Sequence, residues 1–181
     1  MTLLTIQRKI LVLGLLITLV SSPIVLIWYF ENHNSDEPQL IGMRVPSFIV
    51  STLSGTTFSF DSRGKKHIFV FFTAECSECR NELSNLDLLY GQFKSQIDFF
   101  AISLSNSKET KLLLSSEKYS FPVFQGERNA LVDSMKIIGT PTIFFADEQQ
   151  ILRRRYVGDR PIGKDRKLLQ EFSNESFIHK Q

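Results

Sequence analysis

The stretch HIFVFFTAECSECRNEL, residues 67–83, decides how the rest of the chain is read. It begins with an unbroken apolar run, His67 to Thr73, of strand length and rich in Phe, Ile and Val. Such a run suits a strand covered on both faces. From Ser77 the pattern changes. Leu83, Leu86, Leu89, Tyr90 and Phe93 follow at spacings of three and four, which marks an amphipathic helix over Ser77 to Phe93. Between strand and helix stand the two cysteines of the chain, Cys76 and Cys79.

Upstream, PSFIVSTLSGTTFSF alternates around Ser54-Gly55 and predicts a β-hairpin. Downstream, QIDFFAISL predicts a second buried strand, KETKLLLSSEKY a helix, and FPVF a short extended piece. RNALVDSMKI reads as a helix that gives way to Gly139-Thr140-Pro141. TIFFAD and ILRRRYVG read as two strands across a turn, and GKDRKLLQEFSNESF as a closing amphipathic helix. The order is a hairpin followed by βαβαβαββα. Strand–helix–strand units imply parallel pairing with right-handed crossovers, and the last strand pair implies an antiparallel edge. The expected fold is α/β: a mixed sheet with helices on both sides. The triple Arg153 to Arg155 is expected to charge an exposed edge strand against aggregation.

The chain has 181 residues, enough for one domain with its own core plus an appendage. Sixteen Phe and 43% hydrophobic residues fit a packed domain. A net charge of +2 offers no broad basic field, so nucleic acid is not expected as a partner. The appendage is N-terminal. Residues 10–30 are uncharged and mostly Leu, Ile and Val, long enough as a helix to cross a hydrocarbon core of ~30 Å. Arg8 and Lys9 precede this run, and Glu31, Asp36 and Glu37 follow it. The positive-inside rule then leaves residues 1–9 in the cytoplasm and exports the rest. Trp28 and Tyr29 would anchor the outer interface. A cleaved signal peptide is the rival reading, but Pro23 is a poor cleavage context and the run exceeds a normal h-region. Residues 31–40 read as a polar linker, 41–177 as the folded domain and 178–181 as a tail.

Cysteines two residues apart could be a redox pair, half a metal site, or two small buried residues. A disulfide closing so short a loop removes little chain entropy, so stapling is a weak rationale. Zinc wants four ligands, and of the three histidines His33 falls in the linker and His179 in the tail. A C-x-x-C that follows a buried strand and opens a helix is a redox signature. Free N–H groups and the macrodipole at a helix start stabilise an anion, so a thiol there ionises more readily. Cys76, at the tip, is the expected nucleophile. Cys79, one turn along, is the expected resolving thiol.

With these residues in view, the chain resembles the TlpA/ResA-like, membrane-anchored thiol–disulfide oxidoreductases of the thioredoxin superfamily. The likeness runs from about Ile41 to Phe172. GMRVPSF resembles the family's G-x-x-x-P-x-F opening, SGTTFSF its first hairpin, CSECRNEL its C-x-x-C-x-x-E helix start, and YVGD the glycine ending of its last strand. GTPTIFFAD resembles its cis-proline loop and following strand. The resemblance implies a thioredoxin-like fold with Pro141 as a cis-proline facing the disulfide. It also implies a Thr140 backbone that pairs a substrate segment, and Glu82 as an acid that tunes the thiols. It implies no cofactor beyond the Cys76–Cys79 disulfide. Partners would be protein disulfides or dithiols, apocytochrome c among them, and a membrane thiol electron donor. The location would be the bacterial cytoplasmic membrane, single-pass, with the domain extracytoplasmic.

Three departures stand out. Glu75 replaces the family's Trp, Glu78 its Pro, and Ser84 a further Pro. Carboxylates beside the thiols disfavour thiolates. Glu75 and Glu78 are therefore candidates for tuning the cysteine pKa values, and they point to a reducing protein. Two other functions fit parts of the sequence. Thr73, three residues before Cys76, matches the P-x-x-x-T-x-x-C pattern of peroxiredoxins, with Cys76 as peroxidatic cysteine, although Phe69 stands at the proline position. A copper-binding assembly factor would need C-x-x-x-C and a downstream His, and the only later one is His179.

Overall fold

A computed structural model describes residues 40–59 and 64–177. The expected anchor at 10–30, most of the linker and the tail lie outside the described residues. Leu40, assigned to the linker, is buried with Val45 and Phe48, so the packed domain starts at least one residue earlier than expected.

The chain runs through β1 (Ile49–Ser51), β2 (Thr57–Ser59), β3 (Lys66–Phe72), α1 (Ser77–Phe93), β4 (Ile97–Ser103), α2 (Ser107–Ser116) and β5 (Val123–Gly126). It continues through α3 (Arg128–Ser134), β6 (Thr142–Ala146), β7 (Leu152–Val157) and α4 (Ile162–Asn174). The element order is the one expected. The seven strands form one sheet in the order β2-β1-β5-β4-β3-β6-β7.

β3 is buried at every position. Successive side chains of a strand point to opposite faces, so one apolar run can feed two cores. Ile68, Val70 and Phe72 pack with Leu83, Leu86 and Leu89 of α1 and with Leu169 and Phe172 of α4. Phe69 and Phe71 face the other way, toward Phe48 and toward Leu131 and Met135 at α3. Helices therefore cover both faces, as expected. Lys66 opens β3 with its ammonium buried among the last carbonyls of α4. It donates to Phe172 O at 2.7 Å, Ser173 O at 2.8 Å and Glu175 O at 2.6 Å. Those carbonyls have no partner inside the helix, and a cation there also suits the dipole.

Two expectations are corrected. β3, β4 and β5 are parallel, but β6 is antiparallel to β3. The third strand–helix–strand unit thus does not make a parallel pair. α3 has only seven residues, a rise of about 10 Å. It does not carry the chain back along a seven-residue strand of about 23 Å. The chain stays at the end where β3 and β5 finish, and enters β6 from there, with Thr142 opposite Phe71. The second correction concerns β7. It is an edge strand of the sheet, as expected, but its arginines are half-buried and engaged. Arg153 pairs with buried Asp147 at 2.6 Å, Arg154 with Glu175, and Arg155 donates to Lys136 O at 3.1 Å.

Candidate active site

β3 ends at Phe72, and four residues later the chain turns into α1. Cys76 is the N-cap of that helix, an unusual side chain for the position. Its Sγ accepts from the Cys79 N–H at 3.1 Å, taking up one of the free amides of the first turn. Cys76 and Cys79 are joined as a disulfide, with Cα atoms 5.2 Å apart. Cys76 is half-buried and Cys79 has no exposure at all. A partner can therefore reach the first sulfur and not the second.

The loop before β6 arrives beside this disulfide because β6 starts at the same end of the sheet. The Thr140–Pro141 peptide bond is cis, and Thr140 O lies 3.5 Å from Cys76 Sγ. A disulfide sulfur carries no proton, so this is an approach and not a hydrogen bond. The loop is held from three directions. Gly158 N–H donates to Pro141 O at 2.8 Å, Thr142 Oγ1 donates to Gly139 O at 2.6 Å, and Thr73 Oγ1 lies 3.4 Å from Thr140 Oγ1.

The two unusual glutamates have different positions. Glu78 Oε2 is 3.8 Å from Cys76 Sγ. The N–H of its own backbone, then the Ser77 hydroxyl, hold its carboxyl below the usual range, so it is an anion beside the sulfur at neutral pH. Glu75 is turned elsewhere. Its Oε2 accepts from Ser105 Oγ at 2.9 Å, and Ser105 Oγ in turn accepts from the Ala74 N–H at 2.9 Å. Glu75 makes no hydrogen bond to either sulfur among the described residues. Its side chain ties the turn before Cys76 to the segment just after β4. Glu75 also borders two grooves. One, of about 500 Å³, is lined by Ala74, Glu75, Arg80, Glu109 and Leu112. The other, of about 280 Å³, is lined by Thr73, Glu75, Ile138, Gly139 and Thr140. A larger groove of about 650 Å³ lies between β1, β5 and α3 and contains neither cysteine.

Glu82 is fully buried on the stripe that carries Cys79, Leu83 and Leu86, so it is not a solvent-facing carboxylate of a helix start. Its Oε1 accepts from Arg160 Nη2 at 2.9 Å and its Oε2 from the Arg160 N–H at 2.9 Å. Arg160 Nε also donates to Asp165 Oδ1 at 2.8 Å, and Asp165 is 1% exposed. Burial pushes the Glu82 carboxyl up to about 7 against the pull of Arg160, and Asp165 and Asp159 add to the rise. Burial raises Asp165 as well, again against Arg160.

The sequence reading named Cys76, Cys79, Glu82, Glu75, Glu78, Thr140 and Pro141, and the fold brings all seven to one end of the sheet. It missed Ser105, Arg160 and Asp165. Ser105 left no signal. Glu82 did leave one, because the apolar stripe from Leu83 extends back through it to Cys79.

The sequence model of the AhpC/TSA family matches residues 41–155, well over half of the chain. The chain belongs to the AhpC/TSA family. Its curated relatives place it within that family. It is 26% identical over 137 residues to sporulation thiol-disulfide oxidoreductase A of Bacillus subtilis, covering 72% of this chain and 81% of the relative. It is 23% identical over 173 residues to thiol-disulfide oxidoreductase ResA of Bacillus cereus, covering 93% and 91%. Among solved structures, the thioredoxin domain of a thiol-disulfide oxidoreductase from Bacteroides vulgatus superposes with a TM-score of 0.67 at 21% identity, covering 76% of this chain and all of that one. StoA from Bacillus subtilis superposes with a TM-score of 0.58 at 21% identity, covering 68% and 96%. These likenesses establish the thioredoxin-like α/β fold. With its C-x-x-C pair, this AhpC/TSA chain is a thiol–disulfide oxidoreductase of the redoxin type.

Proposed function

We propose that the protein reduces protein disulfides outside the cytoplasm, with Cys76 as nucleophile and Cys79 as resolving thiol. The difference in exposure carries this assignment: the reachable sulfur caps the helix, and the buried one lies a turn below it. In the reduced protein the Cys76 thiolate attacks a substrate disulfide. One substrate sulfur bonds to Cys76 and the other leaves as a thiolate. Cys79 then loses its proton and attacks Cys76 Sγ, which re-forms the Cys76–Cys79 bond and releases the second substrate sulfur with both electrons. An extended substrate segment would align along the cis loop at Thr140, a reading supported by the approach of Thr140 O to Cys76 Sγ at 3.5 Å.

The direction rests on Glu78. A carboxylate beside Cys76 Sγ disfavours the thiolate, makes the reduced form less stable and lowers the potential. The uncharged run at 10–30 supports a single-pass anchor, with the domain on the outer side of a bacterial cytoplasmic membrane. Electrons would come from a membrane thiol donor, and exported chains such as apocytochrome c are candidate substrates.

Cys79→Ser should accumulate mixed disulfides through Cys76 in cells, and Cys76→Ser should accumulate none. Absence of trapped partners together with peroxide consumption by the reduced protein would overturn the proposal in favour of a peroxidase. A potential near the oxidising extreme of about −120 mV would overturn the direction.

A further inference from the structure

Glu75 is an exposed carboxylate one residue before Cys76, and it is held in place. Among the described residues, the hydrogen bond to its carboxylate comes from a neutral group, Ser105 Oγ at 2.9 Å. Ser105 is 5% exposed, and three contacts fix it. Its Oγ accepts from the Ala74 N–H at 2.9 Å, its N–H donates to Ser103 Oγ at 3.2 Å, and its carbonyl accepts from Gln125 Nε2. Among the described residues no cation pairs with Glu75. Arg80 lines the same groove but approaches Glu117 instead, at 3.9 Å. The result is a preset anion beside Cys76, open to solvent and with its charge unanswered.

The groove of about 500 Å³ on the α2 side of Glu75 suits a long cationic side chain. Ala74, Leu112 and Leu113 line it with apolar surface, and Leu112 is 72% exposed. Glu75 and Glu109 supply two carboxylates. Lys and Arg lay an aliphatic stem along such a surface and keep the charged head in water. The groove of about 280 Å³ on the cis-loop side shares Glu75 but also holds Arg128, which repels a cation. Glu78 adds negative charge 3.8 Å from Cys76 Sγ but lines neither groove.

We propose that Glu75, positioned by Ser105, is a specificity-determining residue: it selects protein substrates that carry a lysine or arginine beside the cysteine attacked by Cys76. The basic side chain lies in the groove between the turn at Ala74 and α2. The inference rests on the redox reading of the site and adds to it the chemistry of the preferred substrate. Glu75 takes no part in the exchange of bonds, electrons or protons. It attracts the cation while the substrate disulfide aligns on Cys76. An acidic side chain at the same substrate position meets Glu75, Glu109 and Glu78 and is disfavoured.

The test uses the reduced full chain and three peptides, each closed by one internal disulfide and differing only in Lys, Gln or Glu beside the first cysteine. The second-order rate constant for reduction should be about two- to fivefold higher for the Lys peptide than for the Gln peptide, the range of an exposed ion pair, and lowest for the Glu peptide. Glu75→Gln should lose most of the lysine preference. A preference kept in Glu75→Gln, or lost in Glu78→Gln instead, would assign it to the general field of the site and overturn the proposal. Ser105→Ala keeps the charge and removes its tether, so an intermediate preference is expected. A preference equal to that of the wild type would overturn the positioning by Ser105. Glu75→Asp, which keeps the charge one methylene short of Ser105, makes the same comparison if Ser105→Ala does not fold. The preference should shrink in about 1 M salt, where the screening length is roughly 3 Å, and a salt-independent preference would overturn its electrostatic basis. Equal rates for the three peptides would overturn this inference and leave the redox reading standing, whereas reduction of none of them would remove both.

Discussion

Replacing Glu82 by Gln should change how the stability of the protein depends on pH. Glu82 has an ordinary carboxyl value of 4.5 in the open chain and is pushed up to about 7 in the fold, chiefly by burial. The folded state therefore binds a proton more tightly than the unfolded state. Its contribution to stability is fully present below pH 4.5 and is lost as pH rises through about 7. At ~1.36 kcal/mol per pH unit, the loss amounts to roughly 3 kcal/mol between those limits. That is an upper value, because Asp165 shares the same environment. His67 works in the opposite sense. Burial lowers its pKa, so it favours the fold as pH rises through the neutral range, but it is present in both proteins and cancels in their difference. The assay is urea unfolding of the oxidised chain at pH 5, 6, 7 and 8, followed by far-UV circular dichroism. Between pH 5 and 8 the wild type should lose up to roughly 3 kcal/mol more than Glu82→Gln. A difference between the two that stays flat across pH would refute the reasoning, whatever the absolute stabilities.

Two further outcomes follow from the same geometry. In the reduced protein, Glu78→Gln should lower the Cys76 thiol pKa by less than about one pH unit, because the carboxylate is close but fully in solvent. Glu75→Gln should leave that pKa in place, because the Glu75 carboxylate is bound to Ser105. The pH dependence of Cys76 alkylation reads both, and equal shifts in the two variants would refute the distinction. Gly126→Ala should destabilise the fold by about 1–3 kcal/mol through overpacking. A Cβ there would overlap Leu131 Cδ1 and lie 2.9 Å from Ile102 Cγ2. The urea midpoint of the oxidised protein measures the cost, and no change would show that this face of the core is looser than drawn.

Local pattern made much of the molecule legible. The apolar run of β3, the three-and-four spacing of α1 and the turn at Ser54-Gly55 are each short-range signals, and each element formed where it was expected. C-x-x-C at a strand–helix junction was legible for the same reason, because capping and dipole effects act within one helical turn. Two features depended on groups beyond any one element. β6 turned antiparallel because a seven-residue α3 leaves the chain at the end where β3 finishes, and that choice placed Thr140–Pro141 against Cys76. The two glutamates beside the cysteines looked alike in sequence, yet one reaches the sulfur and the other is held by a serine thirty residues later.

What the order of residues settled was the set of elements and the chemistry of the cysteine pair, since periodicity, capping and helix-end electrostatics are local. What only the tertiary structure decided was which charges see which. Glu82 is separated from Arg160 by 78 positions. Its proton affinity is set by burial and by partners that packing α4 against α1 brings together. A buried electrostatic environment is a property of the assembled core, and no short window of sequence contains it.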